Sequence, residues 1–141
     1  MKVKCVGNDK TYLTKEIIKE ALGSYNRDES ISIGKEYIVY AVYTMKSNLW
    51  YLICDDYYDG ENFYWPIFRP SAFFEIIDAT PSIYWVSKEE IDDYDGLKGK
   101  VKNIGFPALF DIPYFYGELV EGNRDCIKIW KQYKKLIDEE I

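Results

Sequence analysis

The chain contains no histidine. That absence removes the Ser-His-Asp and Cys-His catalytic arrangements, the side chain that titrates nearest neutral pH, and the commonest zinc ligand. Cysteine is scarce. Cys5, Cys54 and Cys126 are an odd count without close spacing, which predicts reduced, buried thiols in a cytoplasmic protein and no disulfide framework. Basic charge is also short: 18 Lys and Arg stand against 24 Asp and Glu, a net charge of −6. A nucleic-acid binder needs a basic footprint, so no nucleic-acid partner is expected. No hydrophobic run is long enough to span a bilayer, and Met1 to Asp9 lacks the apolar core of a signal peptide, so neither membrane nor leader is expected. Gly96 and Gly99 do not match a phosphate loop, which needs a wider Gly spacing and a Ser or Thr after the Lys.

What the chain does have is enough apolar content for one core. Its 141 residues fit one domain, and 48% hydrophobic residues argue against disorder. Aromatic residues reach 18%, and fourteen of them are Tyr, which serves a core and a sticky surface equally well.

Periodicity places the elements. Lys2 to Val6 reads as a short strand, and Thr14 to Leu22 as a helix with Gly23 as its stop. Runs rich in Val, Ile, Tyr and Phe predict strands over 36–43, 49–54 and 63–68. Polar turns lie at 46–48 and around Asp59-Gly60. Pro66 marks the third of these strands as an edge or an interrupted one. Pro70 to Phe73 suggests a single helical turn before a strand over 74–77.

Lys2-Val-Lys-Cys-Val, Ile33-Gly-Lys-Glu-Tyr-Ile-Val, Tyr51-Leu-Ile-Cys-Asp-Asp, Tyr64-Trp-Pro and Pro70-Ser-Ala-Phe-Phe-Glu-Ile-Ile-Asp78 together form a pattern. It resembles small uncharacterised bacterial and phage proteins of the SH3-like barrel type. The resemblance covers residues 1–80 and implies a five-stranded barrel. Two departures are the insertion at about 9–30 and the tail beyond Asp78. Families with such tails resemble immunity proteins of bacterial toxin systems, which implies an inhibitor of a toxin.

In the tail, Ser82 to Val86 reads as a strand, and Ser87-Lys-Glu-Glu90 as a capping box opening a short helix. Lys98, Lys100 and Lys102 alternate with Leu97, Gly99 and Val101, the pattern of a lysine-guarded edge strand. Pro113 to Glu121 and a last helix capped by Asn123 or Asp125 form an expected hairpin. Cys126, Ile129, Trp130, Tyr133, Leu136 and Ile137 supply the apolar face of the last helix. The fold expected is therefore α+β and β-rich: a small SH3-like barrel with a C-terminal helical extension, all one domain over 1–141.

Asp55, Asp56, Tyr57, Tyr58, Asp59 and Glu61 form the densest polar cluster. A calcium loop fails there, because Tyr57 stands where a ligand should be and Pro66 where the bidentate Glu should be. A solvated turn satisfies the same residues. So does a contact surface for a basic protein, with Tyr anchors among carboxylates. Asp92, Asp93 and Asp95, after Glu89 and Glu90, form a second acidic run. Adjacent carboxylates on one turn rarely make a glycosidase pair, so a solvated loop or an acidic interface is expected. Trp65 lies in one of three aromatic pairs on predicted strands, whose outward halves could form a binding face. Lysines along the last helix read as a solvent face.

These residues predict a non-catalytic protein-binding module with no cofactor and no metal. The first expectation is an immunity-type inhibitor of a basic toxin. The alternative is a phage or host adaptor that binds a peptide or protein through an aromatic barrel face. The sequence leaves the oligomeric state open.

Overall fold

A computed structural model describes residues 1–57 and 64–141. β1 (Lys2–Cys5) alternates half-buried lysines with buried Val3 and Cys5, as a period of two requires. A long excursion follows and contains α1 (Ile18–Leu22). Thr14 makes no capping bond; a 3-10 turn at Lys15–Ile17 leads into the helix instead, and Gly23 ends it at φ +58°. β2 (Glu36–Ile38) and β3 (Ala41–Met45) divide the single strand expected over 36–43. The break has a cause. The Val39 N–H donates to Met1 O at 3.1 Å, and the next one, from Tyr40, donates to Leu52 O at 2.8 Å. The chain changes sheets at that bond. β4 (Asn48–Cys54), β5 (Pro66–Pro70), a 3-10 turn at Ser71–Phe73 and β6 (Phe74–Asp78) follow largely as the pattern predicts.

The tail departs from expectation. β7 (Val86–Tyr94) is a nine-residue strand where a capping-box helix was expected, and residues 82–85 form a turn rather than a strand. β7 pairs with β8 (Leu97–Gly105) along its whole length, and that pairing overrides the local Ser-Lys-Glu-Glu signal. β7 takes the outer edge; β3 joins β8 at Ile104 and Gly105, so the lysine-bearing stretch of β8 pairs with β7 alone and keeps an open outer side, as the lysine-guarded edge pattern predicts. α2 (Ala108–Asp111) is an additional helix. α3 (Phe115–Val120) begins two residues after Pro113, and Gly122 follows it at φ +91°. α4 (Arg124–Asp138) is capped by Asn123, whose side chain accepts from the N–H groups of Asp125 and Cys126.

The fold is mixed α+β with two antiparallel sheets, in the orders β2-β1-β6 and β5-β4-β3-β8-β7. No closed barrel is found among the described residues. β4 explains the layering. Its Tyr51 and Ile53 face a core shared with Val3, Tyr37, Phe73 and Phe74 of the smaller sheet and its 3-10 turn. Leu52 instead joins Tyr40 and Ala41 in a second core with Phe106, Phe115, Leu119, Trp130 and Ile137. The β5-β4-β3 part of the larger sheet is thus covered by the smaller sheet on one face and by α2–α4 on the other, while most of the β7–β8 ribbon is exposed.

Trp130 is fully buried at the centre of the helical layer. Its ring meets Tyr40 edge-on at 5.0 Å, and its indole N–H donates to Tyr64 O at 3.0 Å. Deleting a buried ring of this size costs about 3–5 kcal/mol. Gly105 sits where β8 meets β3: a Cβ there would lie 2.8 Å from both the Ala41 Cβ and the Leu109 Cδ1. No helix among the described residues is long and apolar enough to cross a membrane.

Candidate partner-binding surface

β4 ends at Cys54, and the chain turns outward through Asp55, Asp56 and Tyr57. The expected Tyr58, Asp59 and Glu61, with the Asp59-Gly60 turn, lie outside the described residues. The base of the loop is held by a largely buried arginine. Arg69 projects from β5, its Nε 2.5 Å from Asp28 Oδ2 and one terminal nitrogen 3.7 Å from Asp55 Oδ2. The same terminal nitrogen donates to Ser30 Oγ at 3.0 Å, and the other to Phe68 O at 3.1 Å. Asp28 Oδ1 in turn accepts from the Ser30 N–H at 2.9 Å and from the Ser30 hydroxyl at 2.5 Å. Asp55 Oδ1 accepts the Tyr57 N–H at 3.0 Å, which shapes the first bend of the loop. Burial pushes the Asp55 carboxyl above its ordinary pKa, against the Tyr57 N–H and Arg69, which pull it down.

Asp56 makes a second anchor. Its carboxylate accepts from Lys35 Nζ at 2.6 Å, the Ser32 hydroxyl at 2.6 Å and the Tyr37 hydroxyl at 2.8 Å, while its N–H donates to Ser30 O at 2.8 Å. Partial burial acts to raise its pKa, but the three donors and the Lys35 charge outweigh that and hold it below the ordinary value.

The two anchors stitch the loop to residues 28–37, and an open groove of about 620 Å³ lies between that segment, α1 and Tyr57. Arg69 and Asp28 line it together with Arg27 and Glu29, and Tyr25 and Tyr57 both belong to its lining. Both tyrosines are well exposed, Tyr25 at 78% and Tyr57 at 66%.

The second acidic run is placed elsewhere. Asp92 lies on β7, and its two carboxylate oxygens accept the N–H groups of Lys46 and Ser47 at 2.8 Å each. Those residues form the β3–β4 turn with φ +52° and +58°, a left-handed conformation held here without glycine. Asp93 pairs with Lys98 at 3.8 Å on an exposed face, and Asp95 sits in the β7–β8 turn at φ +48°. The two runs lie at opposite ends of β4, separated by on the order of 20 Å of extended chain. Trp65 is half-buried against the helix-side core.

The structure thus joins Asp55, Asp56 and Tyr57 at one place and separates them from Asp92, Asp93 and Asp95, while Trp65 leaves the β4–β5 ladder next to Asp55, since Pro66 pairs with Cys54. Sequence reasoning missed Arg69, Asp28, Ser30 and Lys35. One signal was present: Arg69 stands alone in the apolar run Ile67-Phe68-Arg69-Pro70, and a charge in such a strand calls for a carboxylate partner.

All three cysteines are free, and burial raises each thiol, Cys54 to about 12, away from the thiolate form that attacks electrophiles. No group of three His, Cys, Asp or Glu among the described residues is arranged to hold a metal ion. Comparison with protein-family models, with curated proteins and with solved structures finds no match to this chain.

Proposed function

We propose that this chain is a non-catalytic protein-binding module for a basic partner, an immunity-type inhibitor of a basic toxin. The observation that carries the reading is the pair of exposed tyrosines lining one groove, together with Arg69 and its ion-paired Asp28. Tyrosine supplies contact area at low conformational cost, and a fixed ion pair limits what ordering the surface must undergo on binding. The net charge of −6 favours a basic partner and speeds its encounter. Asp55 and Asp56 are engaged internally, so their role in this reading is to hold Tyr57 and the loop in place. Such an inhibitor works in the cytoplasm, where three unpaired thiols stay reduced.

The SH3-like reading of the β core has support in the connectivity. β1 pairs with both β2 and β6, the chain passes through Val39 and Tyr40 into β3, and a single 3-10 turn joins β5 to β6. The adaptor alternative, binding through an aromatic barrel face, has less support. Of the aromatic pairs behind it, Trp50 and Tyr51 are buried, and Trp65, Tyr84 and Trp85 pack against the helix-side core.

The test is affinity capture from the native cell, at low and high salt, with the wild-type chain and with an Asp59→Lys/Glu61→Lys variant. The expected result is one basic protein whose capture weakens with salt and with the charge reversal. Equal recovery of the same proteins under all four conditions contradicts the reading.

A further inference from the structure

β7 is the outer strand of the larger sheet and has one neighbour, β8. A two-residue turn joins them, Asp95 at φ +48° and Gly96 at φ +75°. In such a hairpin the flanking pair, Tyr94 and Leu97, exchanges both hydrogen bonds, and bonded and non-bonded pairs alternate from there. Asp92, Glu90 and Lys88 therefore bond inward to β8. The N–H and C=O groups of Ser87, Glu89, Ile91 and Asp93 point away from it, and no backbone hydrogen bond among the described residues reaches them. The same count makes Ile104 an outward residue of β8, and β3 pairs with β8 there.

The side chains of Ser87, Glu89, Ile91 and Asp93 share one face, and all four are exposed, Ile91 at 60%. On that face Lys98 Nζ lies 3.8 Å from Asp93, and Lys100 Nζ lies 3.4 Å from Glu89. Charge is therefore ordered across the ribbon, basic on β8 and acidic on β7.

We propose that the free edge of β7 is a strand-addition site. Its occupant is an extended partner segment with Lys or Arg at alternate positions around a central apolar residue. The inference rests on the basic-partner reading for the charge of the occupant, while using a surface at the other end of β4 from the tyrosine groove. An added strand of this kind completes the free backbone groups, continues the basic-acidic alternation and sets its apolar residue beside Ile91. A second copy of this chain fits poorly. In the antiparallel register centred on Ile91, Glu89 of each copy faces Asp93 of the other, and like charges directly opposite repel.

The experiment titrates the capped peptide Thr-Lys-Thr-Val-Thr-Lys-Thr into the isotope-labelled full chain and follows its amide resonances. The expected result is that Ser87, Glu89, Ile91 and Asp93 shift most, and that replacing both peptide lysines by glutamate weakens binding about tenfold or more. Ile91→Pro removes an outward N–H while leaving the bonds to β8, and is expected to abolish binding. If that variant disturbs the β8 resonances, Glu89→Lys/Asp93→Lys takes its place with the same expectation. Equal binding of the glutamate peptide overturns the proposal. So do shifts centred away from β7, or a concentration-dependent dimer that Ile91→Pro dissolves. Peptide failure alongside intact salt-sensitive capture of a basic protein sinks the edge site alone. An acidic captured protein sinks the reading beneath it.

Discussion

Asp55-Asp56-Tyr57 and Asp92-Asp93-Tyr94 are the same tripeptide, each with an Asp-Gly shortly after it. The fold uses them in different ways. The first lies where β4 leaves the sheet, and its carboxylates meet side-chain cations and hydroxyls, Arg69 for Asp55 and Lys35, Ser32 and Tyr37 for Asp56. The second lies within a strand, where alternation sends Asp92 and Asp93 to opposite faces. Asp92 is left to satisfy backbone donors of a neighbouring turn, and Asp93 faces solvent beside Lys98. An acidic run is thus no guide to free surface charge. Its secondary structure decides whether the carboxylates converge or diverge.

The largest expected effect breaks the first site. Arg69→Met leaves Asp28 and Asp55 together without their cation, and unfolding in urea should show a loss of about 3–5 kcal/mol. Removing the second site's anchor costs less. Asp92→Ala strips two N–H groups of their acceptor in a turn already held at positive φ, with an expected loss of about 1–3 kcal/mol. Ser47→Gly relaxes that turn, so adding it to Asp92→Ala should recover part of the loss, a coupling that a double-mutant cycle reads directly.

Acid sharpens the contrast within the first run. The Asp56 pKa is lowered in the fold, so its stabilisation is present above the ordinary carboxylate value and is lost as pH falls through the lower folded value. The Asp55 pKa is raised, so its contribution is present below the ordinary value and is lost as pH rises through the higher folded one. Asp56→Asn should therefore flatten the acid-side fall in stability, and Asp55→Asn should steepen it, as read from urea midpoints across the acid range. The smallest effect is expected at Asp93. Its exposed pair with Lys98 predicts a change within about 0.5 kcal/mol for Asp93→Ala.

Much of the first half of the fold, and the start of the last helix, is legible in the sequence. Alternating Val3 and Cys5, the Pro70-Ser-Ala-Phe turn and the Asn123 cap each carry a local signal that the structure bears out. What local reasoning misses is non-local. Val39 and Tyr40 carry no breaker, and the strand divides because its hydrogen-bonding partner changes. Ser87-Lys-Glu-Glu90 reads as a helix start, yet nine pairings with β8 make it a strand. The burial of both Trp50 and Tyr51, adjacent on β4, needs cover on both faces of the sheet, which period-two patterning alone cannot reveal. At the candidate site Asp55, Asp56 and Tyr57 were visible as a cluster. Asp28 and Ser30 were hidden in a stretch without periodicity, more than twenty residues away in the chain.

The central claim is that Tyr25 and Tyr57 carry the contact with a basic partner, while the carboxylates beneath them hold the surface in shape. The most direct measurement is the affinity of the captured partner for a Tyr25→Ala/Tyr57→Ala variant, taken with that variant's urea midpoint. The account predicts an affinity loss of about a hundredfold with the midpoint nearly unchanged, since both rings are exposed. Wild-type affinity in the double variant contradicts it.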